Sequence, residues 1–326
     1  MRADTEQINE RLNGFRDVLL ESPHSGILVL ALDAITQPKD DEPFDSPSIK
    51  LARYMLGGNL ELAHGTAALR SEPLIIADPD LAMHAIRQVG AARLVLPHVL
   101  EEFAEQGEPY ASLHLPTICR SQAGNDTALL FIDPMHRQAV WRDGPKPHPY
   151  SHQLYKSHPL LGLRLAAQHG NMLDTSSRNI AFSAARHHAR QRPETSYGVR
   201  WHVIDRYLHS LNAPETDELE RDRIRLATNI MRPFDALDDL LTRVQRCEVS
   251  RASERGAHLM ENYLEAVDQM TARRKTELGG ISDQIELELL SKVIKELSRQ
   301  LSSAGPLADM YQDVWDTTRH AAALAA

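Results

Sequence analysis

The spacing of apolar residues predicts helices at both ends of the chain. Residues 5–21 place apolar side chains on one helical face with acidic residues opposite, and Pro23 ends the pattern. Beyond Trp201 the chain is highly charged and carries three apolar stripes of helical period, at Asp235–Leu241, His258–Met270 and Ile281–Leu301. Charges of both signs alternate there, which is typical of solvated helices. We therefore expect an all-helical C-terminal third.

The middle of the chain mixes shorter apolar runs. Ser48–Leu56 and Asn59–Leu69 predict two helices, and Leu74–Ala77 predicts a short strand. Two further helices are expected over Asp80–Val89 and Leu94–Phe103, and the second of them contains Pro97. These runs indicate a mixed α/β region.

The stretch from residue 112 to residue 134 predicts a β-hairpin. His114–Cys119 reads as one strand, residues 124–126 as a polar turn, and Thr127–Ile132 as the second strand. Antiparallel pairing would bring the open ends together, with His114 and Asp133 within hydrogen-bond reach. A histidine oriented by a carboxylate is two thirds of a catalytic triad, although the pair alone is a weak signal that more often has a structural origin.

A nucleophile would be expected at the next polar turn. Residues 174–177 form a Ser-rich run that leads into an amphipathic helix predicted over residues 178–190. The N-terminus of a helix favours an anionic nucleophile and offers N–H donors to an oxyanion. The order of the three parts is therefore histidine, acid, then a serine-rich helix start.

This order resembles the YopJ family of serine/threonine/lysine acetyltransferases, which bacterial type III secretion delivers into host cells. Residues 129–134 (LLFIDP) fit the family's Leu-Ile-x-x-Glu-Pro strand end, with Asp133 in place of Glu. Residues 176–183 (SSRNIAFS) align with its Ser-Ser-x-Cys-Gly-Ile-Phe-Ser turn. The resemblance implies an α+β fold, in which a central mixed sheet like that of clan CE cysteine proteases is flanked by helices.

The same resemblance supplies a domain division and ligands. Together with a Pro- and acid-rich linker at residues 37–47 and a change to charged helices from Trp201, it gives an N-terminal segment and linker at residues 1–47, a catalytic-type core at residues 48–200 and a helical region at residues 201–326. It also implies acetyl-CoA as the acyl donor, inositol hexakisphosphate as an activator, and host kinases or immune-signalling proteins as partners.

The chain departs from the family at the nucleophile. Asn179 stands at the position of the catalytic cysteine, and an amide cannot form the covalent acyl intermediate. The resemblance therefore implies a degenerate triad of His114, Asp133 and Asn179, in an effector that acts by binding host proteins. An alternative is an active acyltransferase that uses Ser177, although a hydroxyl at this position more often caps the helix.

Composition indicates a soluble protein of a reducing compartment. The 326 residues are 42% hydrophobic and 25% charged with a formal net charge of −9, which argues against a general nucleic-acid binder. The two cysteines, Cys119 and Cys247, do not predict a disulfide framework. We expect no signal peptide and no transmembrane segment, so that secretion would follow the type III route.

The histidines do not predict a metal site by their spacing. His148, His152 and His158 lie among prolines without the spacing of a ligand set, so we expect no metal. The pair His187–His188 has arginine neighbours and predicts a solvated helix face, or alternatively a phosphate-binding patch together with residues 273–275.

A third hypothesis needs no coincidence of motifs. The long charged helices are also typical of a helical interaction module with no enzyme ancestry. A mostly helical fold, without a central sheet that carries His114 and Asp133, would favour this hypothesis over the other two.

Overall fold

The computed structural model describes most of the chain between residues 2 and 311. The described residues are 2–39, 42–64, 67–141, 148–189, 198–246, 283–302 and 305–311. Cys247, the predicted stripe at His258–Met270 and the basic residues 273–275 lie outside them.

Helices dominate the described part of the chain. They are α1 Arg2–Leu20, α2 Ser25–Thr36, α3 Pro47–Gly57, α4 Leu74–Ala77, α5 Pro79–Ala104, α6 Leu115–Gly124, α7 Pro134–Trp141, α8 Pro149–Lys156, α9 His158–His169, α10 Thr175–Arg186, α11 Trp201–Ser210, α12 Glu218–Arg246 and α13 Gln284–Ser302. Two 3₁₀ segments, Tyr110–Ser112 and Thr127–Phe131, flank α6.

The expected α+β fold with a central mixed sheet is wrong. The described residues form one sheet of two antiparallel strands, β1 Leu60–His64 and β2 Ala67–Ser71. The described part of the chain is therefore mostly helical, and it does not contain the protease-like sheet implied by the resemblance.

The predicted hairpin at residues 114–132 is helical. Leu115, Ile118, Cys119, Gln122 and Ala123 face inward at the i, i+3, i+4, i+7, i+8 spacing of α6. The apolar run that follows packs as a 3₁₀ segment rather than as a strand. Short apolar runs fit either structure, and the helical spacing of the first run decides between them here.

Two neighbouring predictions are also wrong, one in each direction. The helix predicted over Asn59–Leu69 is the β1–β2 hairpin, because Leu60 and Leu62 are buried while Glu61 and Ala63 are not, which is the period of a strand. The strand predicted over Leu74–Ala77 is the helical turn α4.

Helix α5 unites two predicted helices. The Asp78 side chain accepts a hydrogen bond from the Leu81 amide at 3.0 Å and caps the helix, with Pro79 in the first turn. Pro97 lies inside the helix without ending it. Helix α5 packs against α2, α6, α12 and α13, and it presents its buried polar residues to α12.

Buried apolar side chains form two clusters. The larger one joins α1, α2, α5, α6, α12 and α13, and the smaller one joins β1, α9, α10 and α11. The larger cluster draws on each of the segments 1–47, 48–200 and 201–326, and the division into these domains stays a prediction. None of the described helices has both the length and the hydropathy needed to cross a bilayer.

Candidate metal centre

The predicted base and its acid lie on the surface, at opposite ends of α6 and the segment that follows it. His114 is exposed and precedes α6, and its carbonyl oxygen accepts the Ile118 amide at 3.1 Å. Asp133 is exposed before α7, where its Oδ1 accepts the Met135 amide at 2.8 Å. Helix α6 is about 15 Å long, and within the described ranges no hydrogen bond joins His114 to Asp133.

The predicted nucleophile turn is the first turn of α10. Asp174 caps this helix by accepting the Ser177 amide at 2.7 Å, so Ser177 lies within the helix and its side chain is fully buried. Asn179 is partly buried two residues further along α10. Ser176 lines a cavity of about 500 Å³ together with His114.

Cys119 does not replace the missing thiol. It is fully buried in α6, and burial raises the pKa of its thiol to about 12. A thiol that stays protonated at neutral pH is a poor nucleophile. Cys119 acts as a small apolar side chain in the core.

A different set of residues brings together side chains that are able to bind a proton or a metal ion. It is a group of histidines and carboxylates in the interior, which we call the His–Asp cluster. Its members are His84, Asp126, His158, His187, His188 and Asp235.

Five segments of the chain contribute these side chains. His84 lies on α5, Asp126 precedes the 3₁₀ segment after α6, and His158 is the first residue of α9. His187 and His188 follow the last turn of α10. Asp235 lies on α12, which packs against both α5 and α10.

Most of the cluster is withdrawn from solvent. His158 is 0% exposed, His187 is 2% exposed and Asp126 is 8% exposed. His188 and Asp235 are partly exposed, so the cluster reaches the surface on their side. The expectation of a solvated face at His187–His188 is therefore wrong for His187.

Backbone carbonyl groups fix the tautomers of two histidines. Nδ1 of His158 lies 2.7 Å from the carbonyl oxygen of Tyr155. Nδ1 of His187 lies 2.5 Å from the carbonyl oxygen of Ala184. Because a carbonyl oxygen only accepts, both Nδ1 atoms carry hydrogen, and in the neutral rings both Nε2 atoms present a lone pair.

The two lone pairs converge on a carboxylate oxygen. Nε2 of His158 lies 3.1 Å from Nε2 of His187 and 3.2 Å from Oδ1 of Asp126. Nε2 of His187 lies 3.6 Å from the same oxygen. This buried oxygen receives no hydrogen bond of good geometry from any described residue. Three electron-rich atoms in contact need a positive charge between them, either a proton or a metal ion.

These separations fit a metal ion. A tetrahedral zinc site with bonds of about 2.0–2.1 Å holds its ligand atoms about 3.3 Å apart. The observed 3.1, 3.2 and 3.6 Å bracket that value. His188 supplies a fourth donor, since one ligand atom from each of the four residues lies within 4.8 Å of all the others.

The protonation states also suit metal binding. Burial, with smaller contributions from His187 and His158, holds the pKa of His188 well below its usual range, so this ring is neutral at pH 7. Burial alone would raise the pKa of Asp126, but the hydrogen-bonding environment of His158, His187 and His84 outweighs it and lowers that pKa well below the usual range. Neutral imidazoles and an ionised carboxylate are the forms that bind metals.

A second layer of side chains holds His84 in place. Oδ2 of Asp238 lies 2.6 Å from Nδ1 of His84. The Arg87 guanidinium donates to Asp238 at 2.8 and 3.2 Å, and the Tyr311 hydroxyl donates at 2.9 Å. Burial would raise the pKa of Asp238, but Arg87 and His84 outweigh it and keep that pKa well below its usual range. The ionised Asp238 therefore fixes the Nδ1–H tautomer of His84.

Sequence reasoning missed the cluster, although a signal was present. On α5, His84, Arg87 and Gln88 recur at i, i+3 and i+4 within an otherwise apolar face. On α12, Asp235 and Asp238 recur at i and i+3. Polar residues with the helical period of a core stripe must find partners in the interior, and two such stripes predict a shared polar site.

Comparisons with protein-family models, with curated proteins and with solved structures find no match to this chain. Function therefore has to be inferred from the geometry of the cluster.

Proposed function

We propose that this chain is a metal-binding protein, in which Asp126, His158, His187 and His188 hold a divalent transition-metal ion. The observation that carries the proposal is the contact of three electron-rich atoms, Nε2 of His158, Nε2 of His187 and Oδ1 of Asp126, at 3.1–3.6 Å. Since both Nδ1 atoms are committed to carbonyl oxygens, a metal ion satisfies all three atoms at once.

The donor set favours Zn²⁺. Imidazole nitrogen with one carboxylate oxygen in a tetrahedral arrangement suits Zn²⁺, whereas Mg²⁺ and Ca²⁺ prefer six or more oxygen ligands. Co²⁺ has similar ligand preferences and serves as a spectroscopic substitute for Zn²⁺.

The ion would join elements that pack against one another in the fold. Asp126 precedes a 3₁₀ segment that follows α6, His158 begins α9, and His187 and His188 follow α10. With four protein ligands the site is closed in the manner of structural zinc, and ion binding then contributes directly to folding stability.

Metal analysis tests the proposal. Protein without a histidine tag would be stripped of metal with a chelator and reloaded with Zn²⁺, and its metal content would be measured by elemental mass spectrometry. We expect bound zinc in the wild type, a lower thermal midpoint after stripping, and loss of both effects in Asp126→Asn. His169→Gln is the matched control, because His169 lies at the other end of α9, stacked on Tyr54.

A Co²⁺ spectrum separates metal loss from unfolding. Four-coordinate Co²⁺ absorbs strongly in the visible range, and we expect this absorption in the wild type and in His169→Gln but not in Asp126→Asn. Wild-type protein that retains no Zn²⁺ or Co²⁺ after reloading would refute the proposal, as would equal retention by Asp126→Asn.

The predictions drawn from the YopJ resemblance stay predictions. They concern acetyl-CoA, inositol hexakisphosphate, host partners and type III secretion. The proposal of a metal centre does not depend on them, because it uses neither His114 nor Asn179.

One observation favours the helical interaction module as a second candidate. The fold is mostly helical, and neither His114 nor Asp133 lies on its two-stranded sheet. A metal-stabilised helical scaffold is compatible with such a role. Incubation with labelled acetyl-CoA followed by mass spectrometry tests it, since an acyl adduct on Ser177 would contradict it.

A further inference from the structure

We infer that a second divalent cation binds beside the first, between His84, Asp126 and Asp235, so that the Asp126 carboxylate bridges two ions. This inference rests on the proposed function, because it uses the same Asp126 carboxylate.

The second carboxylate oxygen of Asp126, Oδ2, faces another set of ligand atoms. Oδ1 of Asp126 points to His158 and His187, whereas Oδ2 lies 3.2 Å from Nε2 of His84. The same Nε2 lies 3.4 Å from Oδ1 of Asp235. Both separations match the ligand spacing of about 3.3 Å in a tetrahedral site.

His84 is oriented as a ligand. Asp238 holds its Nδ1–H at 2.6 Å, so the lone pair of Nε2 is directed at the two carboxylates. A carboxylate that fixes the far nitrogen of a histidine is the usual outer partner of a metal-bound imidazole, and it raises the basicity of the ligand.

Gln88 lies against the same two ligand atoms. Its amide nitrogen lies 2.5 Å from Nε2 of His84 and 3.1 Å from Oδ1 of Asp235, whereas its Oε1 is buried without a hydrogen-bond partner. Gln88 itself is 0% exposed. In the ion-free arrangement the amide nitrogen serves both atoms. With a cation bound, rotation of the amide by half a turn would place Oε1 beside them as a further oxygen ligand.

The second position differs from the first in its access to solvent. The side chain of Asp235 is 21% exposed, whereas that of His158 is 0% exposed. Within the described part of the chain the ion pairs of Asp126 and Asp235 are with histidines and not with arginine or lysine, so two divalent ions would leave a net positive charge. A hydroxide on the exposed side would reduce that charge, and this is the nucleophile that two-metal hydrolases use.

Stoichiometry tests the inference. Chelator-stripped, untagged protein would be titrated with Mn²⁺ or Zn²⁺, passed over a desalting column and analysed for metal. We expect two ions per wild-type chain and one per chain in Asp235→Asn. Asp222→Asn is the matched control on the same helix, since Asp222 pairs with Arg225 at 3.0 Å on the surface, and it should keep two ions.

Electron paramagnetic resonance of the Mn²⁺-loaded wild type needs no variant. Two Mn²⁺ ions bridged by a carboxylate give an exchange-coupled spectrum, which we expect in the wild type and which should become that of an isolated ion in Asp235→Asn. One ion per wild-type chain, with an isolated-ion spectrum, would overturn the second site and leave the first intact. A wild type that binds no ion would refute both proposals.

Discussion

The two ends of helix α10 differ in what surrounds them. At the first turn lie Ser177 and Asn179, which the sequence resemblance assigns to the catalytic position. At the far end lie His187 and His188, which the sequence pattern assigns to a solvated face. The first turn forms a capped helix start near an open cavity, whereas the far end joins a buried set of histidines and carboxylates. The comparison shows that the chemistry of a polar residue depends on the partners that other helices bring to it.

The largest expected loss of stability follows from substitution of Asp238, which holds His84 of the His–Asp cluster in place. Asp238→Ala removes a buried carboxylate and leaves the Arg87 guanidinium, which is 7% exposed, without this partner. Loss of one member of a buried ion pair costs about 3–5 kcal/mol, and we expect a decrease of this size in the free energy of unfolding, measured with urea. His114→Ala is the control and should change it by less than about 0.5 kcal/mol. If Asp238→Ala and His114→Ala lowered the free energy of unfolding equally, the buried cluster would contribute no more to stability than the exposed His114.

An intermediate effect is expected beside the cavity near the first turn of α10. The Glu42 carboxylate accepts two hydrogen bonds from Arg120 at 2.7 Å and two more from Ser46 and Ser48. Burial would raise the pKa of Glu42, but these donors outweigh it and lower that pKa from 4.5 to about 2. Because the pKa is lowered in the folded state, the stabilisation is complete above pH 4.5 and is lost as pH falls towards 2.

Glu42→Gln should therefore reduce the free energy of unfolding by about 2–3 kcal/mol at pH 7. The difference from the wild type should shrink steadily between pH 4.5 and pH 2, as followed by urea titrations at several pH values. Asp45→Asn, which alters an exposed ion pair with Lys50, serves as the control and should have little effect. A difference that is independent of pH would exclude the charged pair with Arg120 as its cause.

The smallest effect is expected at the start of α10. Asp174→Ala removes the cap on the Ser177 amide and should cost about 1 kcal/mol, whereas Asp174→Ser should retain most of the stability. Metal content should stay unchanged in both variants, because the ligands lie at the other end of the helix. Loss of metal in Asp174→Ala would show that the two ends are coupled.

The sequence predicted correctly those helices in which apolar residues recur regularly at helical spacing. Helices α1 and α3 were predicted nearly to their ends, and the Ser46 hydroxyl caps α3 by accepting the Ile49 amide at 3.3 Å. For short apolar runs the sequence did not decide between a strand and a helix. Residues 59–69 and 114–132 were assigned the wrong structures in opposite directions, since five or six apolar residues fit a strand or a buried helix equally well.

The cluster could not be assembled from local spacing. His158 and His187 are 29 positions apart, and His84 and Asp126 are 42 apart, so no motif of fixed length contains them. Only the packing of α5, α9, α10 and α12 brings them together. The visible signal was the presence of polar residues within core stripes, which indicates a buried polar site without showing its members.

The hydrogen bond between His84 and Asp238 has a consequence for the order of folding. It connects residues 154 positions apart, and a contact of this separation has a high loop-closure cost and forms late. During synthesis α5 leaves the ribosome long before α12, so the buried face that carries His84 and Arg87 waits for its partner. Nascent chains in this interval expose an incomplete core, and they are the species on which chaperones would act.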